Sequence, residues 1–504
     1  MKFSRLNLPL AIAVGLLTTS GFAADPTIPS RIDTSIYDSF AQAESDGQVP
    51  IAPQVPQEDI FQYRALPPQE AAAEVAEGPI RYLETEFLKK RNISTFGWIE
   101  AGVGGNNWGG PFNGTITFND RAGQVMMNQL YLVNERTLDT EDGGWDIGGR
   151  VDLLYGTDYT YTTATGLDAH AYGDYNSLFI PSWNSSKYYG LAMPQLYGEV
   201  GRGDVSVKIG HFYTPMGYEV VPAVGNFFYT INNTFQYGEP FTHTGILGNW
   251  KANDQLTVYA GVVNGWDNFN SGTPGYTQNT DYNYFDNNAA FLGGVTLKDS
   301  EETQSLSIFG YSGNVPVGTA FAPNPFQAIS ANRSYISTVY SNKLSNKVTY
   351  VFQNDNGWQF GLPTEGQPGS YPTVQGQQNN LAQWYGLVNY MFYNFSDKLV
   401  GGVRFEYFRD NNGFRVYNPV RNLNYSNFQT APYNTGYQGN FWEMTWGVNY
   451  RPNTNWVIRP ELRYDWYSPD KAGGPLPYGS GIGTGAGGDQ YGQLYYGGDL
   501  IFNF

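Results

Sequence analysis

Polar and apolar side chains alternate along much of the chain after residue 92, most clearly in segments 145–156 and 456–466. In segment 456–466 one face carries large apolar side chains and the other carries charges, namely Ile458, Leu462, Tyr464 and Trp466 against Arg459, Glu461, Arg463 and Asp465. A helix would scatter these charges around its circumference. A strand separates them, because successive side chains point to opposite faces. The pattern therefore predicts β-strands.

The same alternation recurs and predicts sixteen strands. They lie at about 93–104, 125–136, 145–156, 190–200, 205–213, 242–250, 256–265, 289–298, 305–313, 334–341, 347–355, 380–394, 399–409, 439–450, 456–466 and 490–504. The connections alternate between short turns, such as 251–255, and eight long loops, such as 214–241. Long extracellular loops and short periplasmic turns are typical of a transmembrane barrel. The prediction is an all-β, closed antiparallel transmembrane β-barrel of about 16 strands.

The last predicted strand ends on Phe504, and no residue follows it in the sequence. Leu494, Tyr496, Leu500 and Phe502 alternate with polar or small residues before it. Exported outer-membrane barrels commonly end in this way, and the barrel-assembly machinery reads such an end. We therefore expect outer-membrane lipid and the assembly machinery, reading Phe504, as partners of this chain.

The charged face of each strand is expected to meet the lumen. An Arg at the bilayer midplane on the lipid face costs about 2–4 kcal/mol, so Arg459 and Arg463 together would cost up to about 8 kcal/mol there. A soluble two-layer sandwich gives the same alternation, with its polar face toward water. It would not need the alternating loop lengths or the terminal Phe504. Pro460 interrupts the strand, and a bulge or a position near the strand start would accommodate it.

The N-terminal 92 residues differ from the rest. Residues 1–23 have the features of a cleaved secretory signal peptide, with Lys2 and Arg5 before an apolar stretch and Ala23 at the end. Residues 24–92 are predicted to form a Pro-rich periplasmic arm or linker, with a short helix over 79–91. The barrel is expected to occupy residues 93–504.

Composition limits the classes of function. The formal net charge is -17, which argues against a nucleic-acid partner, because phosphate contacts need clustered cations. The sequence has no Cys and only three His, so we predict no metal site. Aromatic residues make up 16% of the chain, as expected for a barrel with aromatic girdles at both membrane interfaces.

Seven segments together resemble the outer-membrane β-barrel porin family of OmpL-like porins. They are 147–158, 194–201, 208–219, 238–245, 261–266, 402–410 and 458–466. The resemblance covers residues 93–504 and implies an outer-membrane channel, in a family without assigned catalytic residues or cofactor. A porin of sixteen strands is wide enough for passive diffusion of small hydrophilic solutes or ions through a water-filled lumen. Sixteen-stranded porins are usually trimers, so a homotrimer is a further expectation by analogy.

The predicted pore-lining residues are the inward charges Arg150, Asp152, Arg404, Glu406, Arg459, Glu461, Arg463 and Asp465. Arg404, Arg459 and Arg463 are expected to form a basic patch on one wall. In general porins the third long loop folds inward and places acidic groups opposite such a patch. Here that constriction loop is 214–241, with Glu219 and Glu239. The competing interpretation is that the charges neutralise one another and brace the wall.

Two other functions stay open at this point. An outer-membrane lipid hydrolase would need a nucleophile beside His, and only Thr214, Thr242 and Thr244 flank His211 and His243. We therefore predict no enzyme and no catalytic residue. A structural or adhesive barrel would bind partners through its long loops, and the loop 157–189, rich in Tyr and Asn, would suit this role.

Overall fold

The computed structural model describes residues 81–83, 85–164, 167–170, 180–181, 188–269, 289–317, 329–360, 381–416, 437–470, 473–474, 476–482 and 488–504. Within these residues sixteen strands form one closed antiparallel barrel. The strands are β1 (Ile93–Asn106), β2 (Met126–Arg136), β3 (Trp145–Gly156), β4 (Gly190–Arg202), β5 (Val205–Tyr213), β6 (Thr242–Asn253), β7 (Leu256–Val263), β8 (Ala290–Lys298), β9 (Gln304–Val317), β10 (Ile329–Lys343), β11 (Val348–Gln359), β12 (Ala382–Ser396), β13 (Leu399–Asp410), β14 (Gly439–Asn453), β15 (Trp456–Pro469) and β16 (Gly492–Asn503).

Among the described residues, helical structure is limited to single turns. The helices are α1 (Glu86–Lys89) and α2 (Tyr159–Thr162), with a 3₁₀ turn at Ala223–Gly225 and a π-helical turn at Thr234–Gly238. Ala169–His170 and Ile180–Pro181 form a separate two-stranded pair. Of the described residues in the predicted helix over 79–91, only the four of α1 are helical, with Thr85 as its N-cap. None of the helices in the described residues is long and apolar enough to span a membrane.

Each strand pairs with its neighbours in sequence, and β1 pairs with β16 to close the barrel. Phe504 extends this seam, because its N–H and C=O both hydrogen bond to Gly97 at 2.8 and 2.9 Å. The predicted closed barrel of sixteen antiparallel strands is confirmed. The predicted signal peptide over 1–23 and most of the arm over 24–92 lie outside the described residues. So do parts of the loops predicted at 157–189, 266–288, 314–333, 356–379, 410–438 and 467–489.

The two faces of β15 separate as the sequence predicts. Ile458, Leu462 and Tyr464 are 41–44% exposed on the outside, whereas Arg459 and Arg463 are at most 2% exposed on the inside. Outward apolar side chains need no polar partner in lipid, so this orientation avoids the cost of exposed guanidinium groups.

Pro460 is the fifth residue of β15, near the start of the strand. In the β14–β15 ladder, Gly447 pairs with Glu461 and Tyr450 pairs with Ile458. Pro460 lies between these two pairs, where the ladder has no residue pair. The missing N–H of proline therefore removes no bond from that ladder.

Two long loops fold into the barrel interior, namely L1 (107–125) and L3 (214–241). The rings of Phe235 and Phe241 in L3 stack at 4.7 Å, and Phe118 of L1 packs 6.2 Å from Phe235. The N–H of Thr117 donates to Gln236 Oε1 at 2.9 Å, which joins the two loops. The hydrophobic core of this protein therefore lies inside the barrel, between the loops and the wall.

Candidate channel constriction

Inward carboxyl groups of the barrel wall hold the main chain of L3. Glu406 on β13 accepts the N–H groups of Asn233 and Thr234 at 2.7 and 2.5 Å. It also accepts the side-chain donors of the same two residues at 2.9 and 2.6 Å. Glu461 on β15 accepts the N–H groups of residues 229–230 at 2.9 and 3.1 Å. These N–H groups belong to a loop without a regular hydrogen-bond ladder, so the wall supplies the acceptors that buried backbone requires.

The wall arginines hold the carbonyl groups of the same loop. The predicted basic residues Arg404, Arg459 and Arg463 are all buried and lie on β13 and β15. Their guanidinium groups donate to L3 carbonyl oxygens, Arg404 to Thr230 at 2.7 Å, Arg459 to Ala223 and Asn226 at 2.9 and 2.6 Å, and Arg463 to Ile231 at 2.6 Å. The three arginines therefore anchor the loop as well as carrying charge.

Glu219 of L3 lies directly on this basic wall. Its Oε1 is 2.5 Å from Arg404 Nη1, and its Oε2 accepts the N–H of Asn232 at 2.8 Å. This arrangement differs from the expected one, in which acidic loop groups face the basic patch across a gap. Glu443 on β14 neutralises Arg404 from the other side, with 2.7 Å between Glu443 Oε1 and Arg404 Nε. At this height the loop and the wall are in contact and leave no gap at Arg404.

The second predicted loop carboxylate, Glu239, lies near β11. Its Oε1 accepts Gln353 Nε2 at 2.6 Å. Gly217, at the other end of L3, has a φ of +82°. A Cβ built on Gly217 would come 1.8 Å from Glu239 Oε2, so the loop reverses its direction where only glycine leaves room for the carboxylate.

Arg150 and Asp152 belong to a different part of the wall, on β3. Arg150 Nε donates to Asp152 at 2.6 Å, and Arg150 Nη1 is 3.2 Å from Glu135. Asp152 also accepts the hydroxyl of Tyr131 at 2.5 Å and Gln195 Nε2 at 2.9 Å. The pair is thus fixed by a network of its own. Asp465 likewise pairs on its own strand, 2.7 Å from Arg463.

A small cavity of about 40 Å³ lies between L3 and the wall on the side of Arg150. Phe96, Trp98, Arg150, Gln195 and Tyr213 line it from the wall, and Met216, Glu219, Val220, Val221 and Val224 line it from L3. Two of the ten predicted site residues, Arg150 and Glu219, thus line the same space. The main chain of L3 is also hydrogen bonded to Ser337 on β10 and Gln129 on β2, so its anchors lie on β2 and on β10–β15.

Several inward residues in these networks were not among the predicted sites. Asp499 on β16 pairs with Arg459 at 2.5 Å, and Glu100 on β1 lies 3.1 Å from the same guanidinium. Gln129 on β2 donates to Val221 O of L3 at 2.8 Å and accepts the N–H of Ala223 at 3.1 Å. The inward parity of each strand would have identified Asp499 and Glu100. No local pattern marks Gln129 as a ligand of the loop.

The histidines that a hydrolase would need contact threonines. His211 Nδ1 is 2.8 Å from Thr244 Oγ1, and His243 Nε2 is 3.1 Å from Thr214 Oγ1. His243 Nδ1 is 2.9 Å from the carbonyl of Gly265. These are the same threonines that the sequence places nearest to the histidines.

Asp158, two residues beyond the end of β3, is a buried carboxyl group in the second long loop. Burial raises its pKa to about 7. Hydrogen bonds to the carboxylate lower the pKa, but the effect of burial is larger. Its oxygens accept Asn128 Nδ2 at 3.0 Å and Gln129 Nε2 at 2.9 Å. Because Gln129 also bonds to L3, this carboxyl group is linked to the constriction loop.

The model of the family described as "Putative beta-barrel porin-2, OmpL-like" matches residues 92–504. The chain belongs to this family. The porin is therefore an outer-membrane channel for solute diffusion. No curated protein matches its sequence at a significant level.

Solved outer-membrane proteins of similar architecture include the channel DcaP of Acinetobacter baumannii, with 11% identity, TM-score 0.45, and coverage of 82% of the porin and 97% of that chain. The trimeric form of OmpT of Vibrio cholerae has 11% identity and TM-score 0.46, over 82% of the porin and 99% of that chain. The anion-selective porin from Comamonas acidovorans has 10% identity and TM-score 0.44, over 82% and 99%. No residue role in the porin rests on these likenesses.

Proposed function

We propose that small hydrophilic solutes or ions diffuse passively between L3 and the wall formed by β3–β9, and that the porin catalyses no reaction. The single observation that carries this proposal is the one-sided anchoring of L3. Its main chain is held by Glu406, Glu461 and the wall arginines, while the cavity of about 40 Å³ lies on the side of Arg150. A fixed loop that narrows a water-filled lumen is a sufficient device for a size-selective pore.

The inner wall of β5–β9 carries polar side chains beside the buried apolar side chains of Leu247, Tyr259, Leu292 and Phe309. Thr257, Thr296 and Ser307 are in register across β7–β9, and Thr296 Oγ1 lies 3.1 Å from Ser307 Oγ. Lys208 on β5 lies 3.9 Å from the centre of the Tyr197 ring. Hydroxyl groups can replace part of the hydration shell of a passing solute, and this suits polar cargo.

The charges at the narrow part of the path are proposed to be Arg150 and Asp152 on the wall and Glu219 on L3. The other predicted pore-lining residues, Arg404, Glu406, Arg459, Glu461, Arg463 and Asp465, are proposed to set the width of the pore by holding L3. Glu239 is proposed to fix the return of the loop. Selectivity and width would then be controlled by different groups.

Planar-bilayer recording of the purified porin tests the proposal. We expect stepwise conductance that scales with salt concentration. In a salt gradient, Arg150→Ala should move the reversal potential toward cations, because Asp152 and Glu135 lose their cation while L3 keeps its anchors. Absence of conductance from a barrel shown to be intact by heat-modifiable gel mobility would contradict the channel. An unchanged reversal potential would remove Arg150 from the path.

Export and assembly complete the proposal. Residues 1–23 act as a cleaved signal peptide, residues 24–92 as a periplasmic arm, and Phe504 as the residue that the assembly machinery reads. The pairing of Phe504 with Gly97 supports this role, because it places the last residue at the closing seam. We further propose that the barrel is surrounded by outer-membrane lipid as a homotrimer.

A further inference from the structure

One part of the outer barrel surface carries amide and hydroxyl groups where lipid contact is expected. Thr338 on β10 is in register with Asn354 on β11, and Asn356 and Asn389 lie beside them on β11 and β12. All four face outward, because they pair with outward residues. Ile308 pairs with Thr338 and is 38% exposed, and Ile336 pairs with Asn356 and is 43% exposed.

These polar residues lie within the depth of the membrane. Asn354 is the seventh of the twelve residues of β11, and Asn389 is the eighth of the fifteen residues of β12. Outward aromatic residues bracket the group on β11, with Phe352 toward the periplasmic end and Trp358 toward the extracellular end. A strand crosses the apolar layer with about 9–11 residues, so the centre of each strand is the part furthest from water.

The group is only partly satisfied by its own hydrogen bonds. Asn356 Nδ2 donates to Asn354 Oδ1 at 2.9 Å, and Asn354 Nδ2 donates to Gly386 O at 3.1 Å. Tyr350 donates its hydroxyl to Asn389 Oδ1 at 2.8 Å. In the part of the chain that the structure describes, Asn389 Nδ2, Asn356 Oδ1 and Thr338 Oγ1 have no hydrogen-bond partner. In lipid each such group costs several kcal/mol.

The outer face of β5–β8, elsewhere on the barrel, shows what a lipid-facing row looks like in this protein. Ile209, Ile246, Val262 and Phe291 are neighbours in register across β5–β8. They are 51–59% exposed and wholly apolar. Lipid contact thus explains the outer face of β5–β8 and does not explain that of β10–β12.

We propose that the outer face of β10–β12, centred on Asn354, Asn356 and Asn389, is the surface on which a second copy of this chain packs in the outer membrane. This inference rests on the proposed homotrimer and assigns its interface. Side-chain amides both donate and accept hydrogen bonds, so the face is complementary to polar groups of a like surface. Any occupant must itself reach membrane depth with polar groups on its outside, and this chain has such a face.

Size and shape fit the same occupant. Strands lie about 4.8 Å apart, so β9–β13 span about 24 Å, and with an apolar band about 25 Å tall they offer about 600 Å². Stable interfaces bury about 600–1,000 Å² per partner, so this area reaches the lower end of that range. Gly310 and Ser312 on β9 and Ser334 on β10 also point outward beside Ile336. Small residues allow the backbones of two subunits to approach closely.

The absence of Cys from the sequence permits a direct test. Single variants Asn354→Cys and Asn389→Cys, purified and reconstituted alone in liposomes, are treated with a flexible bismaleimide. We expect cross-linked dimers of this chain from both variants, because each chain carries a single thiol. The matched control Ile246→Cys, at similar depth on β6, should stay monomeric on a denaturing gel. Cross-linking of the control and not of the Asn variants would overturn the proposal.

A second variant tests the energetic role of the patch. In Asn354→Leu/Asn389→Leu the lipid-exposed cost disappears, so we expect loss of the oligomer band on a semi-native gel, with the barrel still heat-modifiable and conducting. Ile246→Leu should keep the oligomer. An oligomer unaffected by the double substitution, or a wild-type porin that is monomeric, would overturn the interface. Conductance measured on the same samples reports separately on the channel.

Discussion

Glu406 is the strongest anchor of L3, and its substitution tests whether anchoring sets the width of the pore. Its carboxyl group accepts four hydrogen bonds, all from Asn233 and Thr234, at 2.5–2.9 Å. In Glu406→Gln one oxygen becomes an NH₂ group, which faces donors that it cannot satisfy. In Glu406→Ala all four bonds are lost. We therefore expect a graded loosening of L3, smaller in the Gln variant than in the Ala variant.

The magnitude follows from the number of bonds. A hydrogen bond contributes about 1 kcal/mol net, so Glu406→Ala weakens the docking of L3 by about 4 kcal/mol and Glu406→Gln by about 2 kcal/mol. A free-energy difference of about 1.4 kcal/mol changes an equilibrium constant tenfold. The population of undocked loop should therefore rise about 10³-fold in Glu406→Ala and about 30-fold in Glu406→Gln. The bonds involving Glu461 and the arginines remain, so the barrel itself should stay folded.

Single-channel recording measures the effect. An undocked L3 exposes more of the lumen, so the variants should show larger or noisier conductance, with the noise greatest for Glu406→Ala. Glu199→Gln is the matched control. Glu199 pairs in register with Lys208 on the wall of the proposed path and accepts Ser206 Oγ at 2.8 Å, away from L3. It should retain the wild-type conductance noise.

Wild-type conductance and noise in both Glu406 variants, in barrels with normal heat-modifiable mobility, would refute the reasoning. It would mean either that L3 does not limit the pore or that the remaining anchors hold it fully. Combining Glu406→Ala with Glu461→Ala separates these two cases, because the second substitution removes the other carboxyl group that binds the main chain of L3.

Three further predictions concern the same loop and its surroundings. Arg459→Ala/Arg463→Ala should raise conductance noise in bilayer recordings, and a shift of the reversal potential without added noise would contradict their anchoring role. Gly217→Ala should destabilise L3 by about 1–2 kcal/mol, because of its positive φ, and displace Glu239. Gly203→Ala, with a φ of +53° and open space at its Cβ, is its control in urea unfolding and conductance. The pKa of Asp158 is raised to about 7 from 3.8, so its protonated form stabilises the fold at low pH, and stability should fall as pH rises from 4 to 7. Asp158→Asn should abolish this slope, worth up to about 4 kcal/mol, in urea unfolding followed across that pH range.

The barrel could be predicted from sequence because lipid imposes a rule on every strand separately. Ile458 and Leu462 had to face outward, and Arg459 and Arg463 inward, whatever the rest of the chain did. The short helix over 79–91 had no such constraint, and among its described residues only Glu86–Lys89 is helical. Helical spacing of three apolar residues was too weak a signal over so short a segment.

The role of the charges could be predicted only in part. Inward parity placed Arg404, Glu406 and Glu461 on the inner wall. What they bind is the main chain of L3, and backbone N–H and C=O groups are present in any sequence. Alternation along β13 and β15 therefore carries no information about Thr230, Ile231 or Asn233 as partners. The contact between Glu219 and Arg404 depends on the same path of the loop, so the strand pattern could not predict it either.

The way in which L3 is attached makes it a replaceable part for engineering. Glu461, Arg459 and Arg463 form hydrogen bonds with backbone N–H and C=O groups of L3. Most side chains between 220 and 231 can therefore change without removing a hydrogen bond to the wall. Val220 and Val224, which face the cavity, are positions where a designer could install a charge, a ring or a reactive thiol. The barrel would then serve as a fixed scaffold, and the side chains of L3 could be exchanged to change the selectivity of the pore.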